Sequence, residues 1–199
     1  MAGSIRVAGH TIAEHDIVND KVDIKNATLG SSVGLDTVHP SSVFYLNSTH
    51  TGNARIDDWV LETGTGVSGQ GSSVAFNDTS DYFYFPVTGV YVFYYSLRTF
   101  TGGTVTDNQI NVKAVISNDQ GTTAHHTFLS TNSFNEDAIN TGDAYYSITG
   151  SVLVNVETAG DTTSSTVVYL EAASFSGQIN NSSSTTKETW CYFYRISNT

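Results

Sequence analysis

The residues with chemistry to offer are few, and their spacing works against them. His125 and His126 are the one adjacent histidine pair in 199 residues. A strand-borne metal site needs two histidines separated by one residue, so that both leave the same face, with a carboxylate close behind. Adjacent histidines leave opposite faces, and Glu136 lies in a polar stretch read as loop. His10, His15, His39 and His50 are scattered over an amino-terminal segment and a polar loop, where exposure is expected. The acidic pairs Asp57-Asp58 and Glu136-Asp137 have a spacing that suits solvation rather than acid–base catalysis, and no aromatic residue adjoins Glu136 to form a sugar cleft.

No nucleophile elbow, phosphate-cradling glycine loop or cysteine–histidine pairing is present. The single cysteine, Cys191, excludes an internal disulfide framework and, between Trp190 and Tyr192, reads as a small buried core residue. Loop aspartates such as Asp119, Asp143 and Asp161 are the residues able to offer oxygen ligands to calcium, without a defined ligand set. No other cofactor is expected. Asn26, Asn47 and Asn77 each begin an Asn-x-Thr sequence, which a chain rich in Asn and Thr produces by composition.

The elements that would position any site centre on Tyr82–Leu97. Tyr82-Phe83-Tyr84-Phe85 and Val90-Tyr91-Val92-Phe93-Tyr94-Tyr95-Ser96-Leu97 are strand sequences separated by Pro86-Val87-Thr88-Gly89. Pro86 lacks a ladder donor and Gly89 tolerates a positive backbone angle, so the spacing predicts strand, tight reversal, strand. In the second run Tyr91, Phe93, Tyr95 and Leu97 point one way, and Val90, Val92, Tyr94 and Ser96 the other. Both faces carry apolar bulk, so both require cover, from a second sheet or from another subunit.

Composition narrows the class further. The chain is 39% hydrophobic and only 14% charged, with 11 Tyr and 10 Phe against 2 Pro and 1 Met, which is an all-β usage. A formal charge of -11, with eight Lys and Arg, argues against nucleic acid as a partner, because phosphate binding draws its affinity from cations. No run approaches the roughly 18 apolar residues of a membrane span. The start has no apolar run of signal-peptide length, so the expectation is synthesis in a cytoplasm rather than secretion.

Residues 1–41 contain no aromatic residue but hold Arg6, Lys21 and Lys25. They read as an extended arm, with alternating edges at Ile5 and Val7 and at Val22 and Ile24. Residues 42–199 read as one domain of short strands and polar turns: Val43–Leu46, Ala54–Leu61, Val74–Phe76, the central unit, Gln109–Ser117, Ala124–Leu129, Ala144–Val156, Thr166–Phe175 and Trp190–Ile196.

The series Ser42-Val43-Phe44-Tyr45, Phe76-Asn77-Asp78, Phe85-Pro86-Val87-Thr88-Gly89-Val90-Tyr91-Val92-Phe93, then Gly150–Val156, Val167-Val168-Tyr169-Leu170-Glu171 and Phe175-Ser176-Gly177 resembles the complement globular-head and tumour-necrosis-factor-like family. The resemblance covers residues 42 to 199, and departs from the family in the polar insertion at Asn180–Glu188 and in lacking a collagen repeat. It implies a jelly-roll sandwich of about ten strands assembled as a homotrimer. It also implies that Tyr91, Phe93 and Tyr95 fill the core while Val92, Tyr94, Tyr192 and Tyr194 meet neighbouring subunits. Fold alone does not give function.

The opening Ala8-Gly9-His10-Thr11-Ile12-Ala13-Glu14-His15-Asp16 to Leu29-Gly30 resembles the starts of bacteriophage virion structural proteins. The function expected is therefore non-enzymatic: a capsid-decorating knob or head-fibre protein in the virion, docked on capsid or other virion proteins by its arm. A receptor-binding tail-fibre tip that recognises a host-surface ligand is the alternative. A cupin-like jelly-roll metalloenzyme is the minor one.

Overall fold

A computed structural model describes residues 4–7, 10–16, 21–24, 41–63, 73–101, 109–133, 144–173, 177–181 and 186–197. The chain forms two compact units, Met1–Val38 and His39–Thr199. In the first, β1 (Ser4–Val7), β2 (His10–Asp16) and β3 (Lys21–Ile24) make an antiparallel three-stranded sheet with β2 in the middle. Ile5 and Val7 lie on β1, and Val22 and Ile24 on β3. The joining strand β2 carries His, Glu and Asp among few apolar residues, so periodicity does not announce it.

The second unit is all-β. It holds β4 (Ser41–Leu46), β5 (His50–Thr51), β6 (Trp59–Leu61), β7 (Ala75–Asn77), β8 (Tyr82–Tyr84), β9 (Gly89–Thr101), β10 (Gln109–Ser117), β11 (His126–Ser133), β12 (Ala144–Val156), β13 (Val167–Ala173), β14 (Gln178–Ile179) and β15 (Trp190–Ser197). One antiparallel sheet runs β11-β10-β13-β8-β7. In the other, β9 is central: β12 pairs along its whole length on one side, and β15 and β14 share the other side, followed by β4-β6 and β5 respectively. Two packed antiparallel sheets with this crossing order are a jelly-roll sandwich.

The break at Pro86–Gly89 does something other than make a hairpin. Strand β8 pairs with β13 and β7 in one sheet, while β9 belongs to the other, so the turn carries the chain across the sandwich. Residue types dictated the break; they did not dictate the partner. Gly89 is required there, because it has φ +149° and a Cβ would meet the Ser197 carbonyl oxygen at 2.5 Å.

The inner faces follow the alternation. Tyr91, Phe93, Tyr95 and Leu97 from β9 are buried, with Phe44, Cys191 and Phe193 from the same sheet and Phe83, Val112, Val168 and Leu170 from the opposite one. Phe93 and Phe193 are directly paired across strands and their rings stack at 4.5 Å. Phe83 is the hub, within 5.0 Å of the Phe44, Phe76 and Phe193 ring centroids and 6.0 Å of Phe93. Each such side chain contributes about 1.5–3 kcal/mol by burial alone.

Three expected segments differ. Of Ala54–Leu61 only Trp59–Leu61 is strand, because residues 54–56 cross to the other sheet, where Ile56 N–H donates to Leu170 O and Ala172 N–H to Ala54 O. The strand expected at Ala124–Leu129 runs His126–Ser133, its polar second half held by the ladder to β10. The polar loop Asn47–Asn53 contains β5, and His50, expected exposed, is buried there.

Candidate assembly face

Because alternate residues of a strand face opposite ways, the strands that fill the core also build the outer surface of the larger sheet. Tyr94 on β9 is paired with Tyr192 on β15, and their rings stack at 5.3 Å. Trp190 lies 5.4 Å from Tyr94 and 6.1 Å from Tyr192. Beside them are half-buried Val43, Tyr45 and Val92, with Tyr194 41% and Ile196 42% exposed. Leu153, opposite Val92 on β12, is 62% exposed. The result is a contiguous aromatic and aliphatic face.

One end of this face is polar. Lys187 places its Nζ 3.4 Å over the Tyr45 ring and 3.6 Å from Glu62 Oε2, beside a shallow apolar pocket bordered by Val43 and Trp190. Farther along β9, Arg98 stacks 4.4 Å over Tyr145 and pairs with Glu188 at 2.5 Å. At the sandwich edge, Phe128 and Leu129 on β11 are both exposed, on opposite faces of the strand. There Tyr95 Oη and Ser130 Oγ hydrogen-bond at 2.6 Å, joining the two sheets across Gly150. A Cβ on Gly150 would collide with the Tyr95 phenol.

Val92, Tyr94, Tyr192 and Tyr194 all lie on the outer face, and Tyr91, Phe93 and Tyr95 on the inner one. The candidate chemical residues do not converge. His125 Nδ1 accepts from the Asn118 N–H at 3.2 Å at a loop tip, and His126 opens β11. Asp119 takes the Ser117 hydroxyl at 2.5 Å and the Thr123 N–H at 2.8 Å, bonds that hold its carboxyl down to a pKa of about 2. Asp161 accepts from Tyr82 Oη at 2.6 Å, Gln120 Nε2 at 2.8 Å and Asn77 Nδ2 at 2.9 Å, and is lowered chiefly by the Tyr82 bond.

Asn47 is engaged with Asp58. Cys191 is buried, and burial pushes its thiol well above the ordinary range. Among the described residues no three His, Cys, Asp or Glu side chains form a group able to hold a metal ion, and no helix is long and apolar enough to cross a membrane. His10 and His15 lie on β2. His39, Asn26, Glu136, Asp137 and Asp143 lie outside the described residues.

Sequence reasoning missed the pair formed by His50 and Asp57, whose Nδ1 and Oδ1 are 3.0 Å apart. A histidine among Ser, Thr and Asn carries no sequence signal of burial. Trp190 and Tyr45 were also missed as members of the face, although Trp190 follows from the alternation of β15.

No protein-family model matches the chain, and no curated protein does. Solved structures do. The Eiger TNF structure from S. frugiperda superposes with a TM-score of 0.58 over 81% of this chain and 95% of that one, at 11% identity. Murine APRIL, in structures at pH 5.0 and pH 8.5, gives 0.54 over 79% of this chain and 99% of that one, at 12% identity. The chain therefore has a TNF-like jelly-roll fold.

Proposed function

We propose that the chain is a non-enzymatic structural subunit that acts as a homotrimer, assembled through the aromatic face around Tyr94, Trp190 and Tyr192. That face is the observation that carries the reading: a contiguous apolar patch of this kind marks an interaction surface. A trimeric ring is the assembly that the family resemblance implies.

The setting we infer is a bacteriophage virion, with the protein as a capsid-decorating knob made in the host cytoplasm. The resemblance of residues 8–30 to virion proteins supports this, as does an amino-terminal unit whose outer strands β1 and β3 offer edges for strand addition to a capsid protein. Three linked copies of a weak contact gain affinity by about a hundredfold or more. Deleting residues 1–41 is expected to leave a soluble oligomer that no longer incorporates into particles. Continued decoration by the truncated protein would move docking to the sandwich, and labelling of tails rather than capsids in electron micrographs would favour a receptor-binding tip.

A further inference from the structure

Away from the aromatic face, residues 48–51, 54, 55 and 57 together with Asp81 line an open cleft of about 440 Å3. Its lining is polar: the hydroxyl residues Ser48, Thr49 and Thr51, the carboxylates Asp57 and Asp81, and the His50 ring. The walls are held in place. Asn47 N–H donates to Asp58 O at 3.0 Å at the base of the loop, Thr49 Oγ1 donates to Asn181 Oδ1 at 3.1 Å, and residues 54–56 are pinned along β13.

The charges in the cleft do not balance. Arg55 also lines it, but its guanidinium is spent elsewhere, donating to Ser80 O at 2.8 Å and Gly121 O at 2.6 Å and lying 3.9 Å over the Tyr169 ring. Two carboxylates thus share one diverted counter-charge. Burial, and then the neighbouring Asp57 charge, raise the Asp81 carboxyl above its ordinary range, against the opposing pull of Arg55.

His50 is the second observation. It is only 6% exposed, its Nδ1 meets Asp57, and its buried Nε2 has no hydrogen-bond partner. A buried N–H without an acceptor is costly, so the favoured tautomer carries its proton on Nδ1 and donates it to Asp57. That arrangement fixes the Asp57 carboxylate and leaves the Nε2 lone pair buried, with no donor among the described residues.

We propose that this cleft binds a primary ammonium group, the chemistry shared by a lysine side chain and an amino sugar. An ammonium has three donors and no acceptor, which matches a site lined by two carboxylates and three hydroxyl oxygens. Its charge relieves the crowding of Asp57 and Asp81. A metal ion fits less well, since no three-ligand group exists among the described residues. A neutral sugar fits less well too, since no Tyr, Trp or Phe is among the lining residues to stack on a pyranose ring. His50 is a positioning residue that holds Asp57.

The test uses the full chain and saturation-transfer NMR, with Nα-acetyl-lysine methylamide and glucosamine as probes and Nα-acetyl-norleucine methylamide and N-acetylglucosamine as uncharged controls. Saturable millimolar binding of at least one amine and neither control is expected, weakened about tenfold or more in Asp57→Asn and Asp81→Asn. The amine that binds identifies the source. His50→Asn is expected to weaken the same probe less, whereas Tyr94→Asp leaves binding intact, so the outcome is independent of oligomeric state. Equal binding of amine and control, binding that survives in both carboxylate variants, no saturable binding of either amine, or displacement of the amine by equimolar calcium would each overturn the assignment.

Discussion

The two sheets of the sandwich finish their outer surfaces in opposite ways. On the smaller sheet Tyr82, Val115, Val167 and Tyr169 form a second buried cluster, flanked by Tyr84. Its cover comes from the chain itself. Arg55 lies over Tyr169 and clasps the loops at Ser80 and Gly121, and Asp161 ties Tyr82, Asn77 and Gln120 together. On the larger sheet Tyr94, Trp190 and Tyr192 form a cluster of similar make-up that no loop among the described residues crosses, ending in exposed Tyr194 and Ile196. In the assembly proposed above, a second copy would give the larger sheet the cover that the chain's own loops give the smaller one.

Removing what the two faces share should abolish the contrast, and it is the largest effect expected. Phe83→Ala empties the hub between the sheets, and a loss of about 3–5 kcal/mol is expected in chemical denaturation, with the oligomer lost along with the fold.

The next effect separates the faces. Arg55→Ala removes two charge-assisted hydrogen bonds and the stacking over Tyr169, and unfolding should become easier by about 1.5–3 kcal/mol. Sedimentation should show an unchanged oligomeric state, because this arginine covers the smaller sheet only. A change in mass would mean that the two faces are not independent.

The smallest effect is a pH dependence confined to the covered face. Burial first, then the bond to Asp161, push the Tyr82 phenol up to about 12 from its ordinary value near 10. A group whose proton is held more tightly in the folded chain stabilises it below the unfolded pKa and loses that contribution as pH rises through the folded one. Stability should therefore decline between about pH 10 and 12, and Asp161→Asn should shrink that decline. Thermal unfolding across this range checks it; an identical profile in the variant would remove Asp161 from the account.

How much was legible in advance depended on whether one strand or two decided the matter. Strands β9, β10 and β12 are long and strongly patterned; the bounds of β10 and β12 agree with the runs read from residue types, while β9 continues four residues past Leu97 to Thr101, where the ladder to β12 holds it. The two faces of β9 follow from its period of two. Pairing partners are a tertiary property, so the strand, tight reversal, strand read for β8 and β9 carried no sign that the passage crosses between two sheets. The two-residue strands β5 and β14 exist because β9 and each other offer a ladder, which their own sequences do not signal. The aromatic face was legible from Tyr94 and Tyr192. The cover over the smaller sheet was not, since it rests on Arg55 reaching loops 25 and 66 residues away in sequence.

Sedimentation equilibrium of the full-length protein beside Tyr94→Asp addresses the central claim most directly. The parent is expected at three times the mass of the chain. The variant, which places an unpaired carboxylate in the apolar contact at a cost of several kcal/mol per subunit, is expected at the mass of one folded chain. A monomeric parent, or a variant that remains trimeric, would contradict the assignment of this face as the assembly surface.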